Sequence, residues 1–175
     1  MRENTKQIIQ RIGETDQIYL ENKTPELALE RADLRMQLVV LSQHRQEQIH
    51  FLQEAIVLLE QARIEFEEML MRIYMDLSLN LAKAYMLYFE ITHEDKFATI
   101  TKQILKPITN DEYGDLYFYL AYACAVKNEV SLTQHWLNKY AKTSAFDLEL
   151  IRNHKAFLSL KNELWFIDLC KSKLN

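Results

Sequence analysis

Two tetrads in this sequence carry the residue types of a metal site: Glu47-Gln48-Ile49-His50 and Glu90-Ile91-Thr92-His93. Residues three apart share a helix face, so each tetrad can offer a carboxylate beside an imidazole. Two such helices, with one further Glu from each of two others, hold a di-iron or di-manganese centre in some helical bundles. Glu21, Glu30, Glu65 and Glu67 are the candidates for those further carboxylates. The spacing argues against this use. Glu47 shares a column with Glu54, Gln61 and Glu68, away from the apolar seam that would face a buried metal, and Glu90 and His93 flank an expected helix end at Thr92. Solvated surface positions are the expectation for all four residues, with no metal and no other cofactor. Covalent chemistry finds no better footing. Cys124 has no His three or four positions away, the serines stand where capping explains them, His135 precedes Trp136 on a helix, and His154 falls in the polar connector Arg152-Asn153-His154-Lys155. The chain is therefore expected not to be an enzyme.

What positions its side chains must be helix. The 175 residues are 49% apolar and 26% charged, yet include only Gly13, Gly114, Pro25 and Pro107, where average usage would give roughly twenty glycines and prolines. Primed hairpin turns, phosphate loops and nucleophile elbows need residues that reach positive φ at little cost. Sheet-rich folds and most loop-built active sites are thereby disfavoured, and an all-α chain is expected. The net charge of −4 divides into −5 over residues 1–90 (10 basic, 15 acidic) and +1 over 91–175 (11 basic, 10 acidic). No basic stripe exists for a phosphate backbone, so nucleic acid is not an expected partner. The longest uncharged run near the C-terminal half, Leu116 to Val126, is short of the ~20 residues a spanning helix needs, so no membrane insertion is expected. Cys124 and Cys170 read as reduced, buried hydrophobes, and the polar first ten residues hold no export signal. A cytoplasmic location is expected.

Along the chain, Ile8, Ile9, Ile12 and Tyr19 suggest a short amphipathic helix within residues 4–20, with Gly13 inside it. Thr24, Pro25 and Glu26 form a strong start signal of cap, first-turn proline and acid. The helix that follows reaches about Leu41 and carries Leu27, Leu34, Leu38 and Leu41, with Leu20 extending the series backwards. A polar turn is expected at residues 42–48. From Ile49 the series Leu52, Ile56, Leu59, Arg63, Phe66, Leu70, Ile73 and Leu77 forms a coiled-coil-like seam. That helix either continues into Leu81-Ala82-Lys83-Ala84-Tyr85 or breaks near Asp76, Ser78 and Asn80. Thr92 with Asp95 predicts a cap, Pro107 ends a helix over 94–106, Asn110 caps the next, and helices over about 112–127 and 129–142 form an antiparallel pair. Two or three short helical pieces close the chain after Ser144. The whole reads as one domain, 1–175, with long amphipathic helices over 1–78 and helical hairpins over 79–175.

A weak internal echo relates Leu81-Ala82 and Tyr85 to Leu120-Ala121 and Cys124, each followed after a polar turn by a helix with aromatic and aliphatic anchors. With Tyr117 at the first anchor, and with Ala55, Leu59 and Ala62 at second-helix spacing, the chain resembles the tetratricopeptide repeat family, mainly over residues 79–169. The resemblance implies antiparallel hairpins stacked as a right-handed superhelix with a concave groove for a protein or peptide partner. It would direct Phe118 and Tyr122, and from the preceding hairpin Asp76, Leu79, Lys83 and Met86, into that groove. The aromatic band Tyr113, Tyr117, Phe118, Tyr119 and Tyr122 can serve either as such a surface or as a tyrosine-rich core with its hydroxyls at the rim. The expected function is a non-enzymatic interaction module of adaptor, scaffold or chaperone-like kind. The alternative is a structural subunit that oligomerises through its N-terminal helices, and behind it a ferritin-like di-metal bundle enzyme.

Overall fold

The computed structural model describes residues 2–66 and 68–171. Among these there are nine α-helices, two short 3-10 segments and no strand, so the chain is all-helical. It divides into two compact units, Met1–His93 and Glu94–Asn175.

The N-terminal unit holds α1 (Arg2–Glu21), α2 (Pro25–Leu41), α3 (Arg45–Glu65) and α4 (Met71–Thr92). Short connections fold each helix back on its predecessor, and α2 packs on α1, α3 and α4. The start of α2 is as its residues dictate: Thr24 is the N-cap, its hydroxyl accepts from the Leu27 amide at 3.2 Å, and Pro25 follows where no N–H is needed. Ile8, Leu34 and Leu38 form a core with Ile12, Leu41 and Phe51. Of the leucine series, Leu34 and Leu38 are thus buried within one chain, while Leu20 stands in solvent. On α3 the buried stripe is Leu52, Ala55, Ile56, Leu59 and Ala62, whose small members let the neighbouring helices approach.

Three sequence expectations change here. The polar turn shrinks to residues 42–44, because Gln48 donates to the Val39 and Ser42 carbonyls and Ser42 binds Glu47, so the polar stretch caps two helix ends from within α3. The seam from Ile49 to Leu77 neither runs unbroken nor breaks at Asp76 to Asn80. α3 ends at Glu65 and α4 starts at Met71, so that α4 folds back over α3 and covers its stripe. Ser78 and Asn80 stay helical because their side chains donate to the carbonyls of Tyr74 and Asp76, four residues back, at 2.7 and 2.9 Å. Thr92 likewise donates to the Tyr88 carbonyl and continues α4, which ends instead at His93 in the left-handed conformation, φ 58°. Gly13 sits in mid-α1, and a methyl group added there would meet nothing within 4 Å. Gly13→Ala is expected to stabilise the N-terminal unit by up to about 1 kcal/mol, read by circular dichroism in a urea titration.

The C-terminal unit contains α5 (Asp95–Leu105), extended by a 3-10 turn at Lys106–Ile108, then α6 (Asp115–Val126), α7 (Val130–Tyr140), α8 (Leu148–Asn153), a 3-10 segment at Lys155–Leu160, and α9 (Leu164–Lys171). α6 is central, with α5, α7 and the 3-10 segment against it. An uncharged helix covered on several sides is what a nearly all-apolar segment demands. The turn into α7 uses Asn128 at φ 57°, a residue that tolerates this region better than most. Asn110 shapes the turn before α6 by accepting from the Glu112 amide, while Gly114 takes the N-cap position.

Candidate interaction site

The aromatic band is resolved by burial. Phe118 and Tyr122 are each 5% exposed. The Phe118 ring packs on Tyr140 at 5.8 Å and Phe157 at 6.1 Å, and both Phe118 and Tyr122 meet the imidazole of His154, at 5.4 and 4.4 Å between ring centres. These residues are core of the C-terminal unit, which corrects their expected place on an open groove: α6 is enclosed, so no face of it is left for a partner at these positions. Tyr117 is buried too, stacked 5.9 Å from Trp136, with its hydroxyl on Asp111. Burial first, then the Asp111 carboxylate, push that phenol up to about 12. Tyr113 and Tyr119 keep partial exposure. On α4, Met86 is buried, while Asp76, Leu79 and Lys83 are half-buried. Phe118 and Tyr122 also meet each other, at 6.3 Å between ring centres.

The residues that could hold a metal are engaged elsewhere. Glu47 binds Ser42, the His50 imidazole lies 3.5 Å from Glu54, and His93 terminates α4. Glu67 lies outside the described residues. Among the described residues no three His, Cys, Asp or Glu side chains are grouped to hold an ion. Both cysteines are free and buried; burial, with a hydrogen bond to Glu129, pushes the Cys124 thiol up to about 12, far from a reactive thiolate. No described helix is long and apolar enough to cross a membrane.

One polar network was not anticipated. Arg35, its side chain 8% exposed, donates to Asp16 on α1 and Glu54 on α3, both at 2.8 Å, and Arg31 donates to the same Asp16 at 2.7 Å. Arg31 and Arg35, four apart on α2 beside the seam residue Leu34, are the sequence signal for it. A cavity of about 410 Å³ opens beside these guanidinium groups, but the two carboxylates already occupy them, so it does not present a free cation to an anion. Burial works to raise the Asp16 carboxyl, yet the hydrogen bonds from Arg35 and Arg31 outweigh it and hold the carboxyl below its ordinary value. Its contribution to stability is therefore full above the unfolded value of ~3.9 and fades as pH falls through the lower folded one. Arg35→Met is expected to lose about 1–2 kcal/mol at pH 7, since Asp16 keeps Arg31 and Glu54 is partly solvated. Its stability should also fall less steeply below pH 4 than that of the unaltered chain, as urea midpoints across pH will show.

The clearest open surface lies at one end of the N-terminal unit. Antiparallel folding brings together the C-terminal ends of α1 and α3 and the N-terminal ends of α2 and α4, and Tyr19 and Lys23 donate to Glu65 at 3.3 and 3.1 Å to tie this end. Leu20, Ile64, Leu70 and Met71, all at this end, are 70–82% exposed. Leu70 borders a cavity of about 570 Å³ lined also by Pro25, Phe66, Met69 and Ile73. Sequence reasoning missed it because Leu20 and Leu70 fit the buried series; only Ile64, off the seam, and the adjacent pair Leu70-Met71 signal an apolar end. Compared with family models, curated proteins and solved structures, the chain matches none.

Proposed function

We propose that the chain is a non-enzymatic interaction module, an adaptor or scaffold that holds a protein or peptide partner on its helical surface. The observation that carries this reading is the apolar end of the N-terminal unit, where Leu20, Ile64, Leu70 and Met71 stand mostly in solvent and Leu70 borders an open cavity. Clustered exposure of this kind is a liability unless something covers it. Tetratricopeptide-like stacking of hairpins belongs to the same reading, supported by the antiparallel α6–α7 pair and by the buried small residues Ala55, Ala62, Ala82 and Ala121. Free thiols at Cys124 and Cys170 fit a reducing compartment such as the cytoplasm.

Affinity purification of the tagged full chain beside its Ile64→Asn variant tests the reading. Ile64 is so exposed that the substitution should leave stability within about 0.5 kcal/mol. A partner retained by the unaltered chain and lost from the variant is the expected result. Identical capture by both removes the apolar end from function. A dimer of the unaltered chain that the variant dissolves makes the chain a self-assembling subunit instead.

A further inference from the structure

We infer that the apolar end of the N-terminal unit receives an amphipathic helix with basic flanks, contributed by another protein. This rests on the interaction-module reading and names the class of partner. The floor of Pro25, Phe66, Met69 and Ile73 and the exposed Ile64 and Leu70 offer apolar contacts between helix ends. With no strand among the described residues, an edge-pairing mode has no template, whereas an apolar trough suits helix-in-groove docking.

The rim chooses the charge. Glu26, Glu65 and Glu68 line the cavity, against Lys23. Lys23 is already paired with Glu65, while Glu26 and Glu68 have no cation in ion-pair distance among the described residues. The unit as a whole is acidic, with 10 basic and 15 acidic side chains. Lys or Arg on either side of a partner's apolar stripe would answer this rim and speed its approach. The same charge disfavours two other occupants. A second copy docking end to end would set like rims against each other, and an anionic lipid surface would be repelled.

The test is fluorescence anisotropy of two synthetic amphipathic peptides with identical leucine spacing, one carrying Lys and one Glu at every polar position, titrated with the full chain. The Lys peptide should bind at least about tenfold more tightly than the Glu peptide. Ile64→Asn or Leu70→Asn should weaken it about tenfold, and Glu26→Gln with Glu68→Gln should weaken it and flatten its salt dependence. Val40→Asn, as exposed but at the opposite end, should change nothing. Equal affinity for both peptides, or indifference to Ile64 and Leu70, overturns the inference. So does comparable binding of vesicles rich in phosphatidylserine, or a dimer in sedimentation that Ile64→Asn dissolves. If neither peptide binds while a captured partner still depends on Ile64, the interaction module stands and the basic helix falls.

Discussion

Truncation of Phe118 to Ala is expected to destabilise the C-terminal unit by about 3–4 kcal/mol, the range for a buried aromatic replaced by a methyl group. The ring contacts Tyr119, Tyr122, Tyr140, His154 and Phe157, which come from α6 itself, from α7 and from the segment around the second 3-10 turn. Enclosure from several elements keeps the site from collapsing, so the lost contacts are not regained by relaxation. Trp136 and Trp165, the chain's two tryptophans, both lie in this unit, and their fluorescence in a urea titration reports its unfolding. Phe118→Leu should lose less than half as much, because most of the volume is kept. A Phe118→Ala chain that unfolds at the same urea concentration as the unaltered one would return this ring to the surface and reopen the groove it was first assigned to.

The aromatic band shows what the sequence makes legible and where it stops. Five aromatics in ten residues cannot share one helix face, and the uncharged run Leu116 to Val126 around them is the signature of a helix covered on several sides. That signal was local, but it left core and surface both open for the band, and only the packing of α7 and the second 3-10 segment on α6 decides for core. The start of α2 was legible because Thr24 and Pro25 satisfy the first turn with their own atoms. The chain reversal between the end of α3 and the start of α4, over the sequence 66–70, was not. It contains no Gly, no Pro and no side-chain cap at Leu70, and the 3-4 spacing of apolar residues passes through it unchanged. Its cause is tertiary: α3 must stop where α4 can return over Leu52, Ala55, Leu59 and Ala62. Arg63 helps close the corner, with its guanidinium 5.1 Å from the Tyr74 ring centre and a 3.0 Å hydrogen bond to the Tyr74 hydroxyl. The exposed apolar end inherits the same opacity. Which leucines face water depends on where the helices end, and periodicity alone treats Leu20 and Leu70 as core.

Gly114→Ala should destabilise the same C-terminal unit by about 2–3 kcal/mol, opposite in sign to the change at Gly13. Gly114 has an ordinary helical φ of −53°, so conformational freedom is not the reason a glycine stands there. At an N-cap the local preference also favours Gly over Ala. The larger reason is space: an added Cβ would lie 2.2 Å from the Thr143 Oγ1, 2.7 Å from the Thr143 Cβ and 2.9 Å from the Ala145 Cβ. That neighbour cannot swing aside freely. The Thr143 hydroxyl and amide both donate to the Tyr140 carbonyl, and the Tyr140 hydroxyl donates to the Ala145 carbonyl while accepting from the Asp147 amide. Admitting a methyl group means moving a segment held by four hydrogen bonds or displacing the start of α6, and either costs stability. Pairing the change with Thr143→Gly, which removes the two nearest atoms, should recover part of the loss, so the two substitutions will be strongly non-additive in a double-mutant cycle. Tryptophan fluorescence in urea reads all three variants. A Gly114→Ala chain as stable as the original would mean that α6 and the 143–145 turn do not approach this closely. The rarity of glycine in this chain would then owe nothing to packing at its one crowded position.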